Sequence, residues 1–386
     1  MSEAISFSKR TKSPFRYDIV GSFLRPAALK DARAKFAAGK IDQDALTAVE
    51  DKEIIALIKQ EEAAGLKAVT DGEFRRSWWH LDFFWGFQGI DYKVPEHGYF
   101  FHGEETRKAT VTVSGKIDGH NHPFVDHFKF TQAHVSDGIQ VKQTLPAPAQ
   151  LLVELLSPAN LPEVRKVYPT DEALFADITK AYKQVIADLY AAGARTIQLD
   201  DCTWGMLVAA LPQDFINGLA GGEPTTDDDL KQLYLNINNS VIDGLPEDLT
   251  VNTHICRGNY HSTWAAAGGY DKVADPLFDQ EHVNAYYLEY DSDRSGSFEP
   301  LAKVSDDKLV VLGLLTSKDG KLEDRQTVID RVHEAAKYVP LNRLCLSTQC
   351  GFASTEEGNI LTPDDQWAKI ALVKSIAEEV WGNDAN

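Results

Sequence analysis

The sequence predicts an α/β fold of the (β/α)8 TIM-barrel type, and three observations lead there. Eight short β-rich runs recur along the chain, each followed by a polar turn. Stretches with helical spacing of apolar residues separate several of them. Some of the runs are almost continuously apolar, as parallel strands buried on both faces must be. A doubly wound open sheet is the runner-up arrangement of the same elements.

In chain order the runs are 17–22, 67–72, 140–145, 196–200, 249–256, 285–290, 308–315 and 343–348. The stretch 42–65, between the first two, reads as helix. Before the fourth run Leu174, Ile178, Ala181, Val185 and Leu189 recur at steps of three and four, and Gly193 stops the pattern. After the seventh, Val328, Val332, Ala335 and Val339 mark a helix that Pro340 closes. A plain barrel needs about 250 residues, so a chain of 386 carries insertions. The obvious one, about 82–137, follows the second run and breaks the alternation. Its Thr110-Val111-Thr112-Val113 reads as part of a hairpin. No Pro/Gly/Ser-rich linker divides the chain, so 1–386 is expected to form a single barrel domain.

Composition narrows the function. The chain is 43% hydrophobic, 25% charged and 10% aromatic, which rules out intrinsic disorder. Lys+Arg number 39 against 58 Asp+Glu, a net charge of -19 that repels phosphate backbones and anionic lipid. Binding to nucleic acid or to a membrane surface is therefore not expected. No apolar run approaches the roughly 18–20 residues of a membrane span, and the polar, basic opening 1–15 reads as no secretion signal. Four cysteines are too few for a disulfide framework at this length. A reducing cytoplasm is the expected setting, with any special cysteine a ligand or nucleophile. The sequence leaves a homo-oligomer open.

Barrel active sites lie at the C-terminal ends of the strands. Those ends here hold Gly21-Ser22, Asp71-Gly72-Glu73, Pro146, Asp200-Asp201, His254-Ile255-Cys256, Glu289, Thr316-Ser317-Lys318 and Cys350-Gly351. His254 and Cys256, two apart on a strand, face the same side. With Cys350 and Glu289 they make a set suited to Zn2+, because soft thiolates disfavour Mg2+ and Ca2+. The bland alternative is two small buried hydrophobes and a satisfied histidine. Cys202 is an alternative ligand and Cys345 reads as core. His120-Asn121-His122 with His127 reads as a polar loop. The aromatics Trp78, Trp79, Phe83, Phe84, Trp85 and Phe87 either stack a flat heterocycle or pack the insertion. Arg75, Arg76 and Lys318 are either solvated surface or anchors for a carboxylated substrate. No dinucleotide, Walker, serine-hydrolase or zincin motif is present.

The set Val20-Gly21-Ser22, Asp71-Gly72-Glu73, Ile197-Gln198-Leu199-Asp200, His254-x-Cys256, Glu289 and Gln349-Cys350-Gly351 resembles the C-terminal catalytic barrel of cobalamin-independent methionine synthase. It is more similar still to the shorter single-barrel relatives of that enzyme, over about 15–381. The resemblance implies a zinc ion on His254, Cys256, Glu289 and Cys350. It also implies homocysteine contacts from Gly21, Ser22, Glu73 and Asp200, and a methyl donor such as methyltetrahydrofolate. The chain departs from the full-length enzyme twice. It has no room for the N-terminal half that helps to bind the folate tail. Where that enzyme has D-I-H-S after the seventh strand, this chain has Leu315-Thr316-Ser317-Lys318, so protonating a pterin leaving group needs another acid. Two readings compete with methyl transfer. Epoxyalkane–coenzyme M transferase resembles the same family, but a sulfonate calls for Arg and Lys where this chain has Glu73 and Asp200. The other is a non-catalytic zinc-binding barrel.

Overall fold

The computed structural model describes residue 7 and residues 9–382; the start of the polar opening, through residue 6 and at residue 8, lies outside them. Ten of the described strands matter here: β1 (Ala68–Val69), β2 (Gln88–Lys93), β3 (Thr110–Asp118), β4 (Gln140–Val141), β5 (Gln143–Pro146), β6 (Thr196–Asp201), β7 (Thr250–Ile255), β8 (Ala285–Glu289), β9 (Leu309–Leu315) and β10 (Leu344–Thr348). β5 to β10 form a six-stranded parallel sheet in chain order. Every residue of β5, β6, β7, β8 and β10 is buried, as strands covered on both faces are, and β5 to β7 bury polar residues such as Gln143, Gln198, Asp201 and Asn252 along with the apolar ones.

The first two predicted runs come out shorter than expected, and the third is interrupted. The run 17–22 is no regular strand, and only Tyr17 bridges to Leu346 of β10. Asp18 N–H donates to the Leu346 carbonyl at 3.0 Å, and Leu346 N–H to that of Arg16 at 2.9 Å. The second run shrinks to β1, which pairs in parallel with β4. The third splits into β4 and β5. Side-chain bonds replace ladder bonds where the first two runs meet: the Thr70 hydroxyl donates to the Gly21 carbonyl at 2.6 Å.

Helices cover the sheet because their starts are capped and their apolar stripes face inward. The helix Asp171–Ala191 buries Leu174, Ile178, Ala181, Val185 and Leu189, with Thr170 accepting from Ala173 N–H at its start. Asp227–Ile242 and Pro363–Trp381 each open with a reciprocal capping box, Thr226/Asp229 and Thr362/Asp365. Among the described residues no helix is long and apolar enough to cross a membrane.

The insertion contains the expected hairpin: β2 and β3 pair antiparallel, with Ile90 opposite Val113. Its buried Phe83 and Phe87 are packing groups, 5.0 Å apart. The Phe83 ring lies 5.1 Å from Phe124 and 5.3 Å from Tyr182 of the helix Asp171–Ala191. His122 is buried, unlike a residue of a polar loop. It accepts from Phe124 N–H to start the helix Pro123–Gln132, and its Nε2 lies 2.9 Å from the Phe83 carbonyl.

Candidate metal centre

Strand order brings the H-x-C pair beside two other strand ends. β7 lies between β6 and β8, so His254 stands level with Asp200 on one side and Tyr287 on the other. Glu289 ends β8 two residues further on. Cys350 follows β10 in a turn held through the Gly351 carbonyl, which accepts from Asn259 Nδ2 and Ser317 Oγ, both at 2.8 Å. A Cβ at position 351 would lie 2.0 Å from Ser22 Oγ and 3.1 Å from Ser22 N, so any side chain there would push Ser22 away. The missing side chain thus packs the first run against the cysteine turn.

One ligand-capable atom from each of His254, Cys256, Glu289 and Cys350 lies within 4.8 Å of the others, and all four residues are buried. The sulfurs of Cys256 and Cys350 are 3.7 Å apart. That is far beyond a disulfide bond. It matches the edge of a tetrahedron built on metal–sulfur bonds of about 2.3 Å, which is about 3.8 Å. His254 Nδ1 lies 3.2 Å from the Tyr287 carbonyl, while its buried Nε2 has no hydrogen-bond partner. An imidazole anchored through one nitrogen with the other free and turned on thiols is oriented as metal ligands are. The residues therefore fit a zinc ion.

The electrostatics describe a site short of positive charge. Hydrogen bonds from Cys202 and then Cys350, with His254 adjacent, push the Cys256 thiol well below its ordinary range. Cys350 is pushed well above it, by its bond to Cys256 and by burial. Burial, and then the Cys256 charge, raises Glu289 to about 7. Burial pulls the His254 imidazolium down, but Cys256, Asp200 and Glu289 outweigh it and the net shift is upward. A divalent cation is the charge this cluster lacks.

The four residues expected to hold an amino-acid thiol gather at the same strand ends. Glu73 is buried with its backbone in the left-handed region, at φ 62°, where a non-glycine residue is strained. Its Oε1 accepts from Thr144 Oγ1 at 3.2 Å and pairs with Arg76 at 3.3 Å, while Oε2 has no partner. Asp200 accepts from Gln198 Nε2 at 2.8 Å, and burial raises it to about 7. Gly21 has φ 145°, and a Cβ there would meet Thr144 Cγ2 at 2.8 Å. Ser22 Oγ accepts from Ala353 N–H at 3.3 Å.

The structure revises the basic residues. Arg75 pairs with Glu50 and Asp51, and Arg76 is buried against Glu73 and Thr144, so neither is solvated surface. Lys318 is buried too, its Nζ 2.7 Å from Asn259 Oδ1. Sequence reasoning missed Arg257 and Arg294. The Arg257 N–H donates to Glu289 Oε1 at 3.1 Å, and Arg294 pairs with Glu289 Oε2 at 3.1 Å. Their one sequence signal was position, directly after His254-x-Cys256 and five residues after Glu289.

Comparison with known proteins agrees with this geometry. Residues 16–363 match the family described as "Cobalamin-independent synthase, Catalytic domain". The Bacillus subtilis protein YxjH is 42% identical over 97% of this chain and 96% of its own length. The methionine synthase of Saccharolobus solfataricus is 23% identical over 86% of each chain. A crystal structure from Listeria monocytogenes, described as a candidate vitamin-B12-independent methionine synthase, superposes with a TM-score of 0.72 at 33% identity, covering 96% of this chain and 99% of that one. The chain belongs to the cobalamin-independent methionine synthase catalytic-domain family.

Proposed function

We propose that this chain is a zinc-dependent methyltransferase that methylates a thiol, homocysteine, to give methionine, with methyltetrahydrofolate or a related compound as donor. The observation that carries the reading is the Cys256–Cys350 sulfur separation of 3.7 Å beside the unpartnered Nε2 of His254. A zinc ion held by His254, Cys256, Glu289 and Cys350 supplies the Lewis acidity that keeps a thiol ionised at neutral pH.

The chain's own residues do the rest. Glu73 and Asp200 receive the substrate ammonium, which brings the positive charge that buried Asp200 lacks. Arg76 and Thr144 fix Glu73, and Gln198 fixes Asp200, so both carboxylates are set before substrate arrives. Gly21 and Ser22 border the same space with a backbone free of Cβ and a hydroxyl. Orientation of this kind is where a two-substrate displacement gains most of its rate.

In the same reading the chain is a single (β/α)8 barrel domain working in the cytoplasm. Barrel closure is supported by the Asp18–Leu346 and Phe23–Gly72 backbone bonds, which link the first run to β10 and to the second run. A small cluster of Val20, Tyr287, Val311 and Cys345, separate from the main core, is what the inner face of a closed sheet would contribute. The test is metal analysis with a methylation assay: about one zinc per chain, and methionine formed from homocysteine. Full activity in metal-free protein overturns the reading.

A further inference from the structure

A third sulfur, Cys202, stands beside the candidate ligands and has no part in the proposed chemistry. The register of β6 on β7 sets Asp200 level with His254 and Asp201 level with Ile255, so the next pair at the strand ends is Cys202 and Cys256. Side chains level with each other on parallel strands point to the same face, and the Cys202 thiol donates a hydrogen bond to the Cys256 sulfur. The two backbones are locked together. Cys256 N–H donates to the Asp201 carbonyl at 2.9 Å. A Cβ on Gly205, in the short helix Thr203–Leu207 that Cys202 starts, would lie 1.8 Å from the Cys256 carbonyl oxygen. Paired strands run about 4.8 Å apart, inside the Cα separation of roughly 4.4–6.8 Å that a disulfide spans. Cys202 is half-buried where Cys256 and Cys350 are buried, and its sulfur is not among the four grouped ligand atoms.

We infer that Cys202 and Cys256 form a modification site, oxidised to a disulfide by a small hydroperoxide, and that closing the disulfide releases the zinc. This goes beyond the proposed function and takes from it only the metal. The Cys256 thiolate attacks hydrogen peroxide: an S–O bond forms, the O–O bond breaks, and the departing hydroxide takes a proton from solvent to become water. Cys202 then attacks the sulfenic sulfur. The S–S bond forms, the S–O bond breaks, and the oxygen leaves as a second water with the Cys202 proton. Two thiols are oxidised and one peroxide is reduced. Cys350 is also near, 3.7 Å from Cys256, but as a ligand its sulfur is engaged with the ion. Cys202 is free to resolve the sulfenic acid before it goes on to the irreversible sulfinic acid. With Cys256 taken into the disulfide, His254, Glu289 and Cys350 are one donor short of a closed tetrahedral set. Transient disulfides of a reducing compartment are of this sensing kind.

The test treats the zinc-loaded full chain with hydrogen peroxide. A chromophoric chelator reports released metal, and peptide mapping by mass spectrometry without reductant locates the bond. The expected result is a Cys202–Cys256 disulfide, about one zinc released per disulfide formed, and return of the metal when dithiothreitol and Zn2+ are added. Cys202→Ser should bind the metal before treatment. After treatment it should carry sulfinic acid on Cys256 and lose the recovery by dithiothreitol. A bond between Cys256 and Cys350, a Cys202 thiol left unmodified, or full recovery in Cys202→Ser overturns the inference. The map of the unchanged protein decides the matter even if the variant does not fold. A chain that binds no zinc at the outset fails the proposed function instead, and the disulfide map of that metal-free protein still decides this inference.

Discussion

Asp18, which bonds the Tyr287 hydroxyl of β8, and Glu289, which ends that strand, are both buried carboxylates, yet their surroundings differ. Asp18 is met by Lys142 Nζ at 3.0 Å, the Tyr287 hydroxyl at 3.0 Å, and the N–H groups of Phe15 and Ile19 at 3.1 and 2.7 Å. Both its oxygens are served, and the Lys142 ammonium also lies 4.6 Å from the Tyr287 ring centre. Two residues on from Tyr287, Glu289 stands in a group where His254 Nε2 is bare, and where Oε2 of Glu73 across the strand ends is bare as well. The protein meets the Asp18 carboxylate with its own groups and leaves metal- and ammonium-capable atoms bare near Glu289; bare buried atoms such as Asn252 Oδ1 and Glu61 Oε2 occur elsewhere too. Buried polar atoms are nearly always satisfied, and what sets the Glu289 group apart is that its bare atoms belong to ligand-capable side chains.

The largest effect expected from this contrast is at the Glu289 group. Cys256→Ser should remove the bound zinc and lower activity by two orders of magnitude or more, while the apoprotein stays folded. Metal analysis and circular dichroism on the same sample check both halves. A serine variant that keeps its zinc would erase the distinction between the two surroundings. At Asp18 the signs exchange. Lys142→Met strands a buried carboxylate and should lower unfolding stability by about 3–5 kcal/mol, read from denaturant midpoints, with one zinc still bound per folded chain. A loss below about 1 kcal/mol would mean that Asp18 and Lys142 do not form a stabilising pair.

The same contrast explains how much was legible in the sequence. Residues in or next to regular elements could be read: His254 and Glu289 lie on β7 and β8, and Cys256 directly follows β7. The helix Asp171–Ala191 buries the very residues its spacing selects. The first run could not be read correctly. Its partners Arg16 and Asp18 reach β10 through only a few bonds, and Thr70 replaces ladder bonds with its hydroxyl. Those bonds depend on residues far away in the chain. Arg294 was illegible for a related reason: a turn arginine in an acidic protein looks solvated until the fold sets it against Glu289. The aromatics from Trp78 on allowed two readings because packing and ligand stacking use the same side chains, and for Phe83 and Phe87 the contact with Tyr182 decides for packing.

A third buried acid sharpens the comparison, because it has a partner but no cation bonded to it. Glu281 Oε1 accepts from Asn238 Nδ2 at 2.9 Å, and the same amide donates to Asp201 at 3.0 Å. Burial, and then the charge of Asp201, raises Glu281 from 4.5 to about 8. The folded chain therefore keeps a proton that the unfolded chain gives up near pH 4.5. The stability this contributes is complete below pH 4.5 and is lost as pH rises through about 8. Glu281→Gln cannot ionise, so it should be more stable than the unchanged protein by a few kcal/mol at pH 8, with little difference at pH 4.5. Urea unfolding at several pH values measures this, and parallel stability curves for the two proteins would sink it.

The smallest expected change in stability comes from setting two cysteines five residues apart against each other. Cys345 is fully buried with Val20, Tyr287 and Val311, and Cys350 is 3.7 Å from Cys256. Cys345→Ala and Cys350→Ala remove the same sulfur from the same strand and the turn that follows it. If burial alone gave both thiols their place, both variants would lose about 1–2 kcal/mol of stability and keep the metal. The geometry predicts that only Cys345→Ala behaves so, with zinc content and methylation unchanged, because its sulfur fills space as a small hydrophobe does. Cys350→Ala should lose the metal, and its apoprotein should lose little stability, since its sulfur already stands among groups the fold leaves unsatisfied. Equal zinc content in the two variants would put the boundary between core packing and the ligand-capable group somewhere other than between residues 345 and 350.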